Sequence, residues 1–144
     1  MKILLLNGPN LNLLDQRDKL IYGGIGLQAI EEGVKKEYQD LEFVFRQSNL
    51  EGELVTWIQQ ASREGFAGMI ANFGGYSHTS VAIRDALELC PIPKVEVHLS
   101  NLHARESFRH ESITAANMNG MIAGFGPMVY SLGIQALLRL LKQG

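Results

Sequence analysis

Cysteine is nearly absent: the chain carries one, Cys90, in 144 residues. No internal disulfide is possible, and no Cys/His spacing suggests a zinc site. A reduced, cytoplasmic setting is the simple reading, with Cys90 an inert residue near a helix end. Long apolar runs are missing as well. None reaches the ~18 residues of a membrane span. The short run after Lys2 reads as a first strand rather than a signal peptide. There is no excess of basic charge either. The formal net charge is −2, so no global field recruits nucleic acid or an acidic membrane, and an anionic ligand needs a local basic site. Repeats, low-complexity tracts and domain linkers are not found.

What is present fits an ordinary globular protein: 46% hydrophobic and 19% charged residues. A chain of this length buries ~68–70% of its unfolded surface without staples. Residues 1–144 read as a single catalytic domain.

Short β-rich runs alternate with helical patterns. Strands are expected near 2–6, 42–46, 68–72, 94–98 and 120–125, and helices near 27–38, 51–64, 79–89 and 127–142. Leu54, Trp57, Ile58 and Ala61 keep helical spacing. Ser48-Asn49-Leu50-Glu51 has capping-box spacing ahead of them. The last helix is apolar nearly all round, which suggests burial against the sheet and a neighbour. The alternation implies an α/β fold: a flavodoxin-like, doubly wound, five-stranded parallel sheet with helices on both faces.

The strands end in bursts of polar residues. Lys2–Leu6 runs into Asn7-Gly8-Pro9-Asn10, 41–45 into Gln47-Ser48-Asn49, 68–71 into Asn72, and 95–97 into His98-Leu99-Ser100-Asn101. In such sheets ligands bind beyond the carboxyl ends of the strands, so these side chains converge on one crevice. Two connections exceed the usual ~2–6 residues and have the length of lids. The first, Asn7 to about Gly26, holds Arg17 and Tyr22, with glycines that allow a hinge. The second, His98 to about Asn119, holds His103, Arg105, Arg109 and His110.

Several of these residues carry chemistry. Alternation along a strand puts Glu96 and His98 on one side, where the carboxylate orients the imidazole as a general acid. Backbone N–H groups at Leu99 and Ser100 can cradle a carboxylate. A phenol ionises near pH ~10 and is a poor base at neutrality, but a guanidinium such as Arg17 beside Tyr22 stabilises the phenolate. Arg105 and Arg109 share a face if their segment is helical, with Phe108 anchoring it to the core. Asn10, Asn72 and His78 add neutral polar groups, the last two around a helix N-terminus. Gly124-Phe125-Gly126 marks a tight turn. The set is polar and metal-free, suited to proton transfer on a small hydroxylated acid.

The sequence then becomes recognisable. Leu6-Asn7-Gly8-Pro9-Asn10-Leu11-Asn12-Leu13-Leu14, Gln47-Ser48-Asn49-Leu50-Glu51-Gly52, the run from Tyr76-Ser77-His78 to Ala86, Glu96-Val97-His98-Leu99-Ser100-Asn101 and Arg105-Glu106-Ser107-Phe108-Arg109-His110 follow one another in family order. Together they resemble the type II 3-dehydroquinate dehydratases. The resemblance implies dehydration of 3-dehydroquinate to 3-dehydroshikimate by anti elimination through an enolate, with no metal or cofactor. It implies Tyr22, activated by Arg17, as the base, and His98, supported by Glu96, as the acid. Asn10 holds a water on the enolate oxygen. Leu99, Ser100 and Asn72 receive the carboxylate, His78 and Arg109 bind ring hydroxyls, and Arg105 shapes the lid. Asp85 reaches a neighbouring subunit's site in a dodecamer of four trimers.

The chain departs from the family pattern at Asp15, where glycine is usual, and at Asp18-Lys19, where Glu-Pro is usual. Loss of that proline frees a φ angle in the lid. The two aspartates are expected to compete with Tyr22 for Arg17. Phe73 and Val129 read as packing changes. Rival readings are a quinate-breakdown enzyme with the same chemistry, a flavodoxin-like electron carrier or binding domain, a receiver domain and an inactive homologue. The stretch after the first strand lacks both the Ser/Thr-rich phosphate loop and the acidic pair that the carrier and the receiver need.

Overall fold

The computed structural model describes residues 1–144. In chain order the elements are β1 (Lys2–Asn7), α1 (Lys19–Tyr22), α2 (Leu27–Glu37), β2 (Glu42–Gln47), α3 (Glu51–Gln60) and β3 (Gly68–Asn72). There follow α4 (Tyr76–Thr79), α5 (Val81–Leu89), β4 (Lys94–His98), β5 (Gly120–Ala123) and α6 (Met128–Gln143). The five strands lie in the order β2-β1-β3-β4-β5, all parallel. That is the doubly wound, flavodoxin-like order read from the alternation of elements.

The apolar run of β1 serves two layers. Ile3 and Leu5 pack with Ile30 and Val34 of α2 and with Ile134 and Leu137 of α6. Leu4 and Leu6 point the other way, into a layer with Leu54 and Ile58 of α3 and Ile83 and Leu87 of α5. A strand covered on both faces has no polar side to show, so it reads as a continuous apolar block. The α6 helix buries Val129, Tyr130, Gly133, Ile134 and Leu137 against the sheet and leaves its other side partly open.

The chain reverses its winding between β1 and β3, and the crevice opens there. The two strands end level, with Asn7 opposite Asn72. Gly8 N–H donates to the Asn72 carbonyl at 2.7 Å. A Cβ at Gly8 would lie 2.5 Å from the Phe73 carbonyl oxygen, so only glycine permits this approach. Phe73 and Val129, the two packing changes, are fully buried.

The first long connection carries structure of its own, and three other local expectations are corrected. It folds into a 3₁₀ segment, Leu11–Gln16, and then α1. Gly23 and Gly24 follow with φ of 91° and 80°. The capping box does not form. Leu50 occupies the cap position without a side-chain bond, while Ser48 Oγ accepts from Leu50 N–H at 2.9 Å, ahead of the helix. Arg105 is extended rather than helical, and only Ser107–Arg109 form a 3₁₀ turn. Phe108 does not anchor the segment, because it is 65% exposed. Its neighbours are held instead by polar contacts, His110 Nε2 lying 2.9 Å from the Arg105 carbonyl oxygen.

Candidate active site

A cleft of ≈ 130 Å³ opens over the carboxyl ends of β1, β3 and β4. It is lined by Pro9, Asn10, Leu11, Arg17, Tyr22, Asn72, Gly74, Gly75, His78, His98, Leu99, Ser100, Leu102, Arg105 and Arg109. Ten of the residues singled out in the sequence meet there. Glu96 stands behind His98, fully buried. Asp85 is exposed on α5 and lies outside the cleft.

Tyr22 ends α1 and is buried under the first connection. Arg17 Nη2 donates directly to its phenol oxygen. The Arg17 guanidinium carbon lies 3.9 Å from the ring centroid, and that of Arg105 lies 5.2 Å away. The phenol therefore sits beside two cations. Burial holds the Arg17 guanidinium below its ordinary pKa, with Arg105 and Arg109 adding to the effect and Tyr22 opposing it. A guanidinium starts so high that it stays charged. The two aspartates do not intervene. Arg17 makes no ion pair with a carboxylate. Asp18 caps α1 by accepting from Leu20 N–H at 2.9 Å, and Asp15 is exposed beside Gly26.

In the same cleft, His98 Nε2 lies 2.8 Å from Glu96 Oε2, both groups buried. The alternation of β4 delivers this pairing. His98 Nδ1 has no protein partner. His78 stacks near it, ring centroids 6.1 Å apart, with its own Nδ1 held 2.8 Å from the Glu111 carbonyl oxygen. Past the strand, the N–H groups of Leu99 and Ser100 donate to no protein acceptor. Arg105 Nη1 donates to Ser100 Oγ at 3.2 Å. Arg109 shares its Nε with Glu106 at 3.1 Å. Three guanidiniums and free amides thus face one small space, which suits an anionic ligand.

Asn72 is oriented from below. Its Nδ2 donates to Tyr130 Oη at 3.1 Å and its Oδ1 accepts from Gly74 N–H at 3.1 Å. Tyr130 in turn donates to Asn7 Oδ1 at 2.6 Å. Asn10 adopts a left-handed conformation, φ 68°, which asparagine tolerates.

The sequence reading missed two kinds of residue. Leu11 and Leu102 are apolar walls that composition cannot separate from core. Tyr130 and Thr114, both buried, and half-buried Ser112 are polar groups behind the cleft that only the fold brings together. No group of three or more His, Cys, Asp or Glu side chains stands close enough to hold a metal ion. No helix is long and apolar enough to cross a membrane.

Comparison with known proteins points one way. The family model for dehydroquinase class II matches residues 1–138. A protein of Mesorhizobium japonicum named 3-dehydroquinate dehydratase is 54% identical over 138 residues, covering 94% of this chain and 95% of the relative. One of the same name from Thermus thermophilus is 46% identical over 144 residues, covering 99% and 97%. The crystal structure of a type II dehydroquinase from Butyrivibrio crossotus superposes with a TM-score of 0.93 at 42% identity, covering 96% of this chain and 97% of that one.

Proposed function

Because this chain belongs to the class II dehydroquinase family, we propose that it is a hydro-lyase converting 3-dehydroquinate to 3-dehydroshikimate, the dehydration step of the shikimate pathway. The 144-residue chain acts as one catalytic domain, and its setting is cytoplasmic. The observation that carries the reading is the pairing of two proton-transfer groups across one cleft: a phenol beside two guanidiniums, and an imidazole backed by a buried carboxylate.

The substrate carboxylate sits on the Leu99 and Ser100 amides and on Asn72. His78 and Arg109 take ring hydroxyls, and Arg105 closes the lid side. Tyr22, as phenolate, removes a proton from C2, next to the C3 carbonyl. Charge moves to that oxygen as an enolate, which Asn10 stabilises through a water. His98, protonated and opposite Glu96, gives a proton to the C1 hydroxyl. That group leaves as water on the face opposite the departing proton, an anti elimination. Each proton has a named donor and acceptor, so no metal or organic cofactor has a step to perform. Asp85 completes a neighbouring subunit's site in a dodecamer of four trimers.

Purified protein should convert 3-dehydroquinate to a conjugated enone, followed by ultraviolet absorbance. General acids and bases contribute roughly 10²–10⁴-fold each. Tyr22→Phe and His98→Ala should each lower kcat by at least that range with the fold intact. Near-full kcat in either variant would remove that residue's role. Activity should survive exhaustive chelation, and a loss that zinc or magnesium reverses would contradict the cofactor-free reading.

A further inference from the structure

Glu96 has two partners besides His98. Ser112 Oγ donates to Glu96 Oε2 at 2.5 Å, and Thr114 Oγ1 donates to Glu96 Oε1. Neither residue lines the cleft. They flank Ile113, whose backbone is clamped on both sides. Its N–H donates to the Ser77 carbonyl at 2.8 Å, and its carbonyl accepts from Arg84 Nη1 at 2.9 Å. Alternation about that clamp points both hydroxyls at one carboxylate. The directions of the bonds are constrained. An ionised carboxylate only accepts, and each hydroxyl has one proton to give. Ser112 Oγ also accepts from Ala115 N–H at 3.2 Å, which orders its lone pairs.

We propose that Ser112 and Thr114 are positioning residues that keep Glu96 ionised and so keep on the His98 ring the proton it passes to the substrate. Glu96 is 0% exposed. A buried carboxylate with one donor tends to take up a proton, while one with three donors is held as the anion. As an anion it accepts from His98 Nε2–H and leaves Nδ1 for the cleft. It also stabilises positive charge on the ring. In the elimination, Nδ1–H of the imidazolium gives its proton to the departing C1 hydroxyl, which leaves as water. The ring ends neutral, with its remaining proton on Nε2, and Glu96 stays ionised throughout. Without the hydroxyls, the Nε2 proton passes to Glu96, and the neutral ring that remains keeps its one proton on Nδ1, where it is a far weaker acid toward the departing hydroxyl. The inference rests on the reading of His98 as general acid.

Thr114→Val keeps the shape and deletes the hydroxyl, and Ser112→Ala deletes the other. Each should lower kcat about tenfold or more, within the ~10²–10⁴ that bounds loss of a general acid, with KM little changed. Thr114→Ser, which restores a hydroxyl without the methyl, should recover most of kcat. The decisive arm is coupling. In a Glu96→Gln background, adding Thr114→Val or Ser112→Ala should cost little more, because residues acting through one group are not additive. Urea midpoints of all variants separate misfolding from mispositioning. Wild-type kcat in the folded Ser112→Ala and Thr114→Val proteins would overturn the proposal, as would full additivity with Glu96→Gln. His98→Ala keeps the two readings apart. If it is inactive while the hydroxyl variants are normal, only the positioning role fails. If it is fully active, the general-acid reading fails first.

Discussion

Tyr130 holds the floor of the cleft through one hydroxyl. It donates to Asn7 at the end of β1 and accepts from Asn72 at the end of β3. Tyr130→Phe leaves both amides buried without that partner, a cost of ~1–3 kcal/mol. Urea unfolding should show the loss, and KM should rise because Asn72 is no longer fixed. Burial, only partly offset by the Asn72 bond, pushes the Tyr130 pKa well above its ordinary value. The sign follows directly. Below the ordinary tyrosine range near ~10 both states keep the proton, and above it the unfolded chain ionises first. Stability should therefore fall as pH rises past ~10, and the part due to this phenol should be absent from Tyr130→Phe. A wild-type and variant pair with parallel alkaline unfolding curves would contradict this. At this scale the sequence was most legible where regular alternation acts locally. Glu96 and His98 are two apart on a strand, and they pair. Ser112 and Thr114 carried no signal, because their approach to Glu96 depends on loop path rather than spacing. Arg17 and Asp18 are neighbours in sequence, yet the first bonds Tyr22 and the second caps a helix.

Strands and helices of this chain follow from two periodicities and a few glycines. The five strands begin where the apolar runs begin, since both faces of the sheet need covering. What sequence reasoning got wrong were end effects. Ser48 has the right spacing for a capping box but sits two residues ahead of the cap position, and Phe108 is apolar yet exposed. Close backbone approach is equally invisible until the strands are side by side. Gly8→Ala should destabilise the protein by ~1–3 kcal/mol, the cost of overpacking a site that cannot yield. It should also impair catalysis, since it separates the ends of β1 and β3. A denaturation midpoint and kcat/KM on one preparation check both. In α1, Asp18→Ala removes an N-cap worth ~0.5–2 kcal/mol. It should lower kcat several-fold by loosening the segment that carries Tyr22, whereas Asp15→Gly should be nearly neutral. Equal effects of the two changes would show that charge, not capping, governs the lid.

Viewed whole, the molecule places its chemistry at the one seam where winding reverses, with apolar layers on both sides of the sheet. That much was readable from element order. The proposed assembly was not, because element order does not say which exposed surfaces would pair. Asp85 is exposed and does not line its own cleft. Sedimentation should give a large multiple of 16.0 kDa, and a fully active monomer would refute the assembly proposed here. The central claim is the division of labour between Tyr22 as base and His98 as acid. Exchange of the C2 proton of 3-dehydroquinate in D₂O tests it most directly. The His98→Ala enzyme should exchange that proton faster than the enzyme-free control while forming almost no enone, and Tyr22→Phe should do neither. Wild-type exchange by Tyr22→Phe would contradict the account.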